Sequence, residues 1–410
     1  MSGRSIGSSP RGLALAIGLV GVLALAACAP TVMAPPPRPQ APPVAAVPPP
    51  PPPPTPAPVA VQPPLQPGAK VPVALLLPLS GPSGALGQGM LDAALMAVYD
   101  VGADQVRLMP RDTGGGPQRA ADAAKAAIAD GARLIIGPLL AADVEAVKPI
   151  ARAAGVPVLA FSTTASLAGD GTYLLSFQPR QEIARIVGYA HAKGVNRFAI
   201  LAPRTPYGAL ATAAMQDAVT ANQAQLTVTG DYGTNANGMT DAARDFARQG
   251  VNYDALLLPD GGTRLKTLAP ALAYYHVDPD KVHYLGTGLW DDPSLGTEAT
   301  LVHGWYAAPD PHGRASFDRR FRDAEGHAPP RLATLAYDAA ALAAVLAKNP
   351  TGADFSTAAL TSPSGFVGLD GVFRLNRDGL IERGLAVLAV ERDGPRVLDP
   401  APQSFVPPTQ

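Results

Sequence analysis

The stretch Val71-Pro-Val-Ala-Leu-Leu-Leu77, with the loop Pro78-Leu-Ser-Gly-Pro-Ser-Gly84 that follows it, decides the fold of this chain. A continuous apolar run of strand length is typical of a strand that is buried on both faces of a sheet. From Gly87 to Tyr99, apolar residues return at the spacing of an amphipathic helix. A strand, a turn and a helix in this order form the unit from which parallel α/β sheets are built.

This unit recurs along the chain in two series. The first has further strand candidates at 106–109, 134–136 and 158–161, with helices at 117–130 and 143–154. The second begins after residue 194, with strand candidates at 198–201, 226–228, 255–258, 283–285 and 302–306 and helices at 208–222, 241–249 and 263–275. A helix at 332–348 then precedes a segment at 371–398 that has the pattern of antiparallel strands. Two series joined near residues 178–181 predict an α/β fold of two lobes with a cleft between them.

The first residues have the layout of a secretory signal. Arg4 and Arg11 precede an uncharged stretch at 12–27, which ends in Leu25-Ala-Ala-Cys28. This ending resembles the lipobox of bacterial lipoproteins, in which the cysteine is lipidated and becomes the new amino terminus. The resemblance implies a signal peptide at 1–27 and lipidation of Cys28. An ordinary signal peptide with a chance cysteine and an uncleaved anchor helix are the alternatives.

A proline-rich segment follows the cysteine, between residues 30 and 67. Proline has a fixed φ and no amide donor, so such a segment cannot form regular helix or sheet. The composition predicts an extended, disordered spacer at 28–69 that tethers the folded region to its anchor. Presentation of a Pro-x-x-Pro motif to an aromatic groove is the alternative use.

The composition also excludes several classes of function. A formal net charge of -1 argues against nucleic acid as a partner and against membrane binding through a charged surface. The single cysteine leaves no disulfide, and the six histidines lack the spacing of metal ligands. Nucleophile-elbow, phosphate-loop and dinucleotide motifs are missing from the sequence. We therefore expect a protein that is not an enzyme and uses no metal or cofactor.

A series of motifs carries a resemblance to a known family. They are VALLLPLSGPSGALGQG at 73–89, RDT at 111–113, GARLIIGP at 131–138, AGVPVLAFST at 154–163, TPYG at 205–208 and FVGLDGVFR at 366–374. Taken in this order, they resemble type I periplasmic binding proteins of the leucine/isoleucine/valine-binding group. The resemblance implies a domain at 70–400 in which each lobe is a parallel-rich sheet flanked by helices. We place the first lobe at 70–180 plus 310–350, the second lobe at 181–309 plus 351–400, and a tail at 401–410.

Within that group, the chain most resembles a lipoprotein branch, the penicillin-binding protein activators. The lipobox, the long spacer, and the Pro-Leu-Ser-Gly and Gly-Pro-Leu segments carry this resemblance. It implies that the protein stimulates a bifunctional penicillin-binding protein, which is a peptidoglycan synthase. Ala29 and Pro30 follow Cys28, so the aspartate that signals inner-membrane retention is missing. By resemblance to the sorting of bacterial lipoproteins, this favours a periplasmic protein that is anchored by lipid to the outer membrane.

The candidate binding residues lie where the predicted strands end. In open α/β sheets, ligands bind beyond the carboxyl ends of the strands. The resemblance places Ser162 and Thr164 against the ligand backbone and Tyr207 at an aromatic wall. Asp260, Trp290 and Asp291 lie near the positions at which that family has an aromatic residue and an acid that binds the ligand ammonium. The full set is Ser80, Ser162, Thr163, Thr164, Tyr207, Asp260, Trp290 and Asp291. Capping and turn roles for the hydroxyl residues, and packing for Tyr207 and Trp290, are the alternatives.

The chain departs from the amino-acid binders directly after Gly137. Those proteins offer hydroxyls to the ligand carboxylate there, whereas this chain has Pro138-Leu139-Leu140. Leucine cannot donate a hydrogen bond, and a buried carboxylate without partners is costly. The sequence therefore favours an activator of a bifunctional penicillin-binding protein. The alternative is a receptor that binds an amino acid or similar small solute in the inter-lobe cleft, of the branched-chain amino acid transport type.

Overall fold

The computed structural model describes residues 69–102, 104–349 and 352–405. Its strands are β1 Val71–Leu77, β2 Val106–Asp112, β3 Leu134–Ile136, β4 Val158–Ala160, β5 Thr172–Leu174, β6 Arg197–Pro203, β7 Gln225–Tyr232, β8 Ala255–Leu257, β9 His283–Gly286, β10 Trp305–Ala308, β11 Phe366–Gly368, β12 Gly371–Leu375, β13 Ile381–Arg383, β14 Ala386–Ala389 and β15 Arg396–Asp399. Its helices are α1 Gly84–Asp100, α2 Pro117–Ala129, α3 Ala141–Ala153, α4 Pro179–Ala192, α5 Pro206–Ala221, α6 Ala236–Ala247, α7 Gly262–Tyr274, α8 Pro311–Glu325, α9 Ala333–Ala347 and α10 Thr357–Leu360. The predicted signal peptide, the lipidated Cys28 and the spacer up to residue 68 lie outside the described residues.

The first lobe is built on a parallel sheet of order β2-β1-β3-β4-β5. Every residue of β1 is buried, which confirms the prediction made from its apolar run. Alternate β1 side chains point to opposite faces: Val73 and Leu75 pack with α1 and α9, while Ala74 and Leu76 pack with α2 and α3. A strand covered by helices on both faces needs no polar side, so its sequence shows no alternation.

The second lobe is built on a mixed sheet of order β15-β14-β10-β9-β8-β6-β7. Strands β6 to β10 run parallel, and β14 pairs antiparallel with both β10 and β15. Leu256 and Tyr284 face α6 and α7, while Leu257 and Leu285 face α4 and α5. Over the ranges that the structure describes, no helix is both long and apolar enough to cross a bilayer.

The C-terminal part is divided between the lobes, which corrects two predicted boundaries. We assigned all of 351–400 to the second lobe, but Phe355 and Phe373 are buried in the core of the first. Phe355 lies just before α10, and Phe373 lies in β12 of the small antiparallel sheet β11-β12-β13, which packs near α9. Only β14 and β15 join the second lobe. The predicted tail also begins later than residue 401, because Ala401 is buried in the second lobe and Phe405 stacks on Arg374.

An aromatic ring and a set of ion pairs lie where the chain passes between the lobes. The chain passes between the lobes after β5, after β10 and after β13. Phe177, in the first passage, has two guanidinium groups near its ring, with Arg331 4.2 Å and Arg383 5.3 Å from its centroid. Arg331 also pairs with Asp291 after β9 at 2.9 Å and with Asp370 before β12 at 3.3 Å. This buried network joins the end of a second-lobe strand to the small sheet of the first lobe.

Candidate functional site

The loop after β1 is held by a carboxylate, and Ser80 forms part of that arrangement. Ser80 is exposed, and its Oγ donates to Asp112 Oδ2 at 2.6 Å. Asp112 also accepts from the amides of Leu79 at 2.9 Å and Gly114 at 2.7 Å, and pairs with Arg119 at 2.9 Å. Burial acts to raise the pKa of Asp112, but these donors outweigh it and the pKa falls below its usual range. The Ser80 hydroxyl therefore serves mainly to order the loop at this strand end.

The hydroxyl residues after β4 begin a buried polar seam. Ser162 is 4% exposed, and its Oγ accepts from the amide of Thr164 at 3.2 Å. Its carbonyl accepts from Ser176 Oγ at 2.9 Å, which in turn accepts from Gln178 Nε2 at 2.6 Å. Thr163 and Thr164 are half-buried. Because Gln178 is the residue before α4, the seam runs from the first lobe to the start of a second-lobe helix.

Tyr207, Glu182 and the loop after β9 meet in the second lobe, and we name this group the second wall. Tyr207 lies in the first turn of α5, where Thr205 caps the helix by accepting from the amide of Gly208 at 3.1 Å. The Tyr207 hydroxyl donates to Thr287 Oγ1, 2.9 Å away in the loop after β9. Burial raises the pKa of Tyr207 above its usual range, and the nearby Glu182 acts in the same direction. The side chain is therefore a neutral phenol at physiological pH.

Glu182, which sequence reasoning missed, completes this wall. It lies in the first turn of α4, is 3% exposed, and its Oε2 accepts from the amide of Gly288 at 2.9 Å. A Cβ at position 288 would stand 2.6 Å from Glu182 Oε1, so a larger residue there would displace this carboxyl. Burial raises the pKa of Glu182 to about 7, against the opposing effect of this amide and of Arg331. Glu182 shares the buried face of α4 with Ile183 and Ile186. An acid on an otherwise apolar helix face is the sequence pattern that could have indicated this buried carboxyl.

The two predicted acids of the second lobe are already paired. Asp260 is 1% exposed, accepts from the Tyr232 hydroxyl at 2.7 Å and pairs with Arg264 at 2.6 Å. Asp291 pairs with Arg314 at 3.0 Å and with Arg331 at 2.9 Å. Both carboxylates are therefore ion-paired with arginines of the protein itself, and neither is left unpaired for a ligand ammonium.

Trp290 also lies away from Tyr207. Its ring is 1% exposed, its Nε1 donates to the carbonyl of Leu258 at 3.1 Å, and it covers Gly286. It packs in the core on the α6 and α7 side of the sheet, whereas Tyr207 belongs to α5 on the other side. The structure thus brings Tyr207, Thr287 and Glu182 together and places Trp290 apart from them.

The first-lobe rim after β3 is apolar and open. Leu139 is buried, but Leu140 is 45% exposed and precedes α3 without any side-chain cap for that helix. The first amides of a helix have no partner within it, so this end offers backbone donors beside an apolar surface. Elsewhere in the described ranges, no group of three or more His, Cys, Asp or Glu side chains is arranged to hold a metal ion.

Comparison with known proteins agrees with this architecture. A family model described as a periplasmic binding protein matches residues 70–395. The chain belongs to the periplasmic binding protein family. Membership implies a periplasmic or other extracytoplasmic location. An uncharacterized protein of Rickettsia prowazekii is 22% identical over 211 residues, a match that spans 50% of this chain and 56% of that protein.

Solved structures confirm the two-lobed fold. A leucine-binding protein of Thermotoga maritima is 18% identical with a TM-score of 0.60, and the match covers 80% of this chain and 97% of that one. A solute-binding protein of a Rhodopseudomonas palustris transporter, in complex with 3,4-dihydroxybenzoic acid, is also 18% identical. Its TM-score is 0.63, with 82% of this chain and 97% of that chain covered. At these identities the likeness is one of fold.

Proposed function

We propose that this periplasmic binding protein is a receptor that takes up a small organic solute in the cleft between its lobes. The observation that carries the proposal is the buried polar seam from Ser162 through Ser176 to Gln178, at the start of α4, the helix that carries the buried Glu182. Buried polar groups are costly unless they are organised, and this line of them follows the strand ends where such folds bind ligands. The likeness to transporter binding proteins supports the same function.

The two walls favour a small acid with an apolar or aromatic body, which includes apolar amino acids. Uncapped amides at the start of α3 can receive a carboxylate, and the exposed Leu140 beside them can cover an apolar body. At the far wall, Tyr207 and the protonated form of Glu182 can exchange hydrogen bonds with a hydroxyl or an amine. A free ammonium gains less here, because Asp260 and Asp291 are neutralised by arginines.

Thermal unfolding of the full chain with a panel of solutes tests the proposal. Leucine, isoleucine, benzoate and 3,4-dihydroxybenzoate form the panel, with glycerol as a neutral control. A solute present at about 100 times its Kd stabilises the folded state by roughly 3 kcal/mol, which is a shift of several degrees. A panel without any shift contradicts the proposal, whereas a shift that Ser162→Ala and Thr164→Ala abolish supports the cleft as its site.

A second candidate function is activation of a bifunctional penicillin-binding protein by the lipid-anchored chain. The predicted lipid anchor at Cys28, the proline-rich sequence after it and the leucines after Gly137 support it. A chain fixed to the outer membrane on a long spacer is kept at high effective concentration near a wall synthase. Glycan polymerisation by such a synthase, with and without the full chain in detergent micelles, tests it. Unchanged polymerisation and no co-purification of the two proteins would exclude this function.

A further inference from the structure

An apolar patch is exposed near the end of α1, on the helix face that points away from the core. Tyr99 is 87% exposed, and Leu95, one helical turn before it, is 49% exposed. The opposite face of the helix packs in the first-lobe core through Met90, Ala94 and Ala97. The outward face of such a helix is usually polar, and adjacent exposed apolar side chains on it are typical of a surface that is covered by a partner.

A groove lies on each side of this patch. One measures about 580 Å³, lies between α1 and the start of β2, and is lined by Leu95, Val98, Tyr99 and Leu108. The other measures about 440 Å³, lies between α1 and the end of α8, and is lined by Leu95, Met96 and Tyr99. Leu95 and Tyr99 thus border both grooves. The first groove adjoins the start of β2, so this surface is separate from the proposed solute cleft at the carboxyl ends of the strands.

The chain enters the fold beside the first of these grooves. Lys70, the residue before β1, lines the groove, and the amide of Val71 donates to the carbonyl of Gln105 at 2.5 Å. The segment 57–68 that leads to this point lies outside the described residues and has the sequence APVAVQPPLQPG. It has no charged residue and ends in the Pro-x-x-Pro motif Pro64-Leu-Gln-Pro67. An uncharged, proline-rich motif therefore precedes a residue of the apolar groove by only three positions.

We propose that the two grooves beside Tyr99 bind the chain's own motif Pro64-Leu-Gln-Pro67. Aromatic-lined grooves recognise proline-rich segments as extended left-handed helices, which lose little conformational entropy on binding. With three residues per turn, Pro64 and Pro67 lie on one face of such a helix, about 9 Å apart, which suits two grooves on either side of one ring. The carbonyls of this helix have no internal partners, so the Tyr99 hydroxyl can donate to one of them.

The short connection to the fold makes a weak interaction sufficient. Six residues separate Pro64 from Lys70, and an extended chain of that length reaches about 20 Å. A motif tethered at this range has an effective concentration on the order of 1 mM, so an intrinsic Kd of about 0.2 mM keeps it bound about five-sixths of the time. The bound motif covers the apolar patch, and the spacer then leaves the domain from the α1 side of the first lobe.

Nitration of the full chain by tetranitromethane, followed by mass spectrometry, tests the proposal. Tyr274, on α7 of the second lobe, is the matched control, because it is 76% exposed and Tyr99 is 87% exposed. We expect Tyr99 to react about fivefold more slowly than Tyr274, because the motif covers it. The double change Pro64→Ala and Pro67→Ala should raise the rate at Tyr99 to that of Tyr274. Equal rates at the two tyrosines in the wild type, or a slow rate at Tyr99 that the double change leaves unaltered, would overturn the proposal.

Further variants locate the bound motif. Leu95→Ser should accelerate nitration of Tyr99 in the wild type but add nothing in the double proline variant, whereas Val367→Ser, at an 84% exposed position of β11, should have no effect. An unaltered rate in Leu95→Ser would contradict the assigned grooves. A second copy of the chain is the other candidate occupant. Protection of Tyr99 that rises with protein concentration, persists in the double proline variant and accompanies dimers in sedimentation would assign the grooves to that copy and contradict the proposal.

Discussion

The two walls of the cleft differ in how far their side chains are already committed. In the second lobe, Tyr207 donates a partly buried hydrogen bond to Thr287, and Glu182 accepts one from the amide of Gly288 in the same loop after β9. In the first lobe, Leu140 is 45% exposed, and the helix that it precedes has no side-chain cap. We infer that the second wall is a preformed support, whereas the first wall selects the solute. Polar residues at strand ends are therefore not all free to bind a ligand.

The largest loss of stability is expected from breaking the ion pairs that Arg331 forms with Asp291 and Asp370. Arg331→Met keeps the contact with Phe177 but leaves Asp291 and Asp370 with less compensating charge. Removal of one member of a buried ion network should lower the free energy of unfolding by about 3 kcal/mol. Urea unfolding followed by circular dichroism measures this loss.

A matched surface pair provides the control for that variant. Arg204 pairs with Asp231, and both side chains are more than 60% exposed, at 66% and 62%. Exposed pairs contribute little, so Arg204→Met should change the free energy of unfolding by about 1 kcal/mol or less. Equal losses for Arg331→Met and Arg204→Met would mean that the network behind the second wall does not stabilise the fold.

The free energy of unfolding should also depend on the protonation of Glu182 in the second wall. The pKa of Glu182 is about 7 in the folded chain and 4.5 for an ordinary glutamate, because burial disfavours its charged form. The folded state therefore holds the proton longer, so this stabilisation is complete below pH 4.5 and is lost as the pH rises through 7. Glu182→Gln should flatten the decline of stability between pH 5 and 7 by roughly 1 kcal/mol per pH unit. Parallel stability profiles for the two proteins would contradict the buried, protonated carboxyl.

A smaller change, this time a gain in stability, is expected in the first wall, which is Leu140 and the start of α3. Leu140 has the extended backbone of an N-cap, with φ -86 and ψ 141, but no side-chain oxygen. Leu140→Ser supplies that oxygen and should raise the free energy of unfolding by about 1 kcal/mol. The hydroxyl also restores a donor of the kind that amino-acid binders offer, so affinity for leucine should rise relative to benzoate. Thermal unfolding with both solutes measures the two effects, and Leu140→Ala should show neither gain.

Most of the fold could be predicted from local patterns, because each α/β unit can be recognised within a short stretch of sequence. The β1 run and the helix after it match the structure closely, since burial on both faces leaves a direct mark on the sequence. The division of 351–400 between the lobes was not readable. Phe355 and Phe373 look like any buried aromatics, and only their packing near α9 decides to which core they belong.

The site was less predictable, because its chemistry depends on partners that are distant in sequence. Tyr207 was among the predicted residues, whereas Glu182 was not, because it contacts Gly288, which lies 106 positions away in the sequence. Asp291 likewise pairs with Arg331, which lies 40 positions away. No local pattern indicates such pairs. The partner of Asp260, in contrast, is close in sequence. Arg264 follows it by about one helical turn, and this spacing could have indicated that the acid is already paired.

The central claim is that the wall around Tyr207 is the support of a solute site, and one titration tests it most directly. The solute that shifts the unfolding temperature most is titrated calorimetrically into the wild type, Tyr207→Phe and Tyr189→Phe. Tyr189, at the other end of the second lobe, packs against Trp305 and serves as the control. We predict one bound solute per chain, at least tenfold weaker binding by Tyr207→Phe and unchanged binding by Tyr189→Phe. Equal affinity for all three proteins would contradict the account.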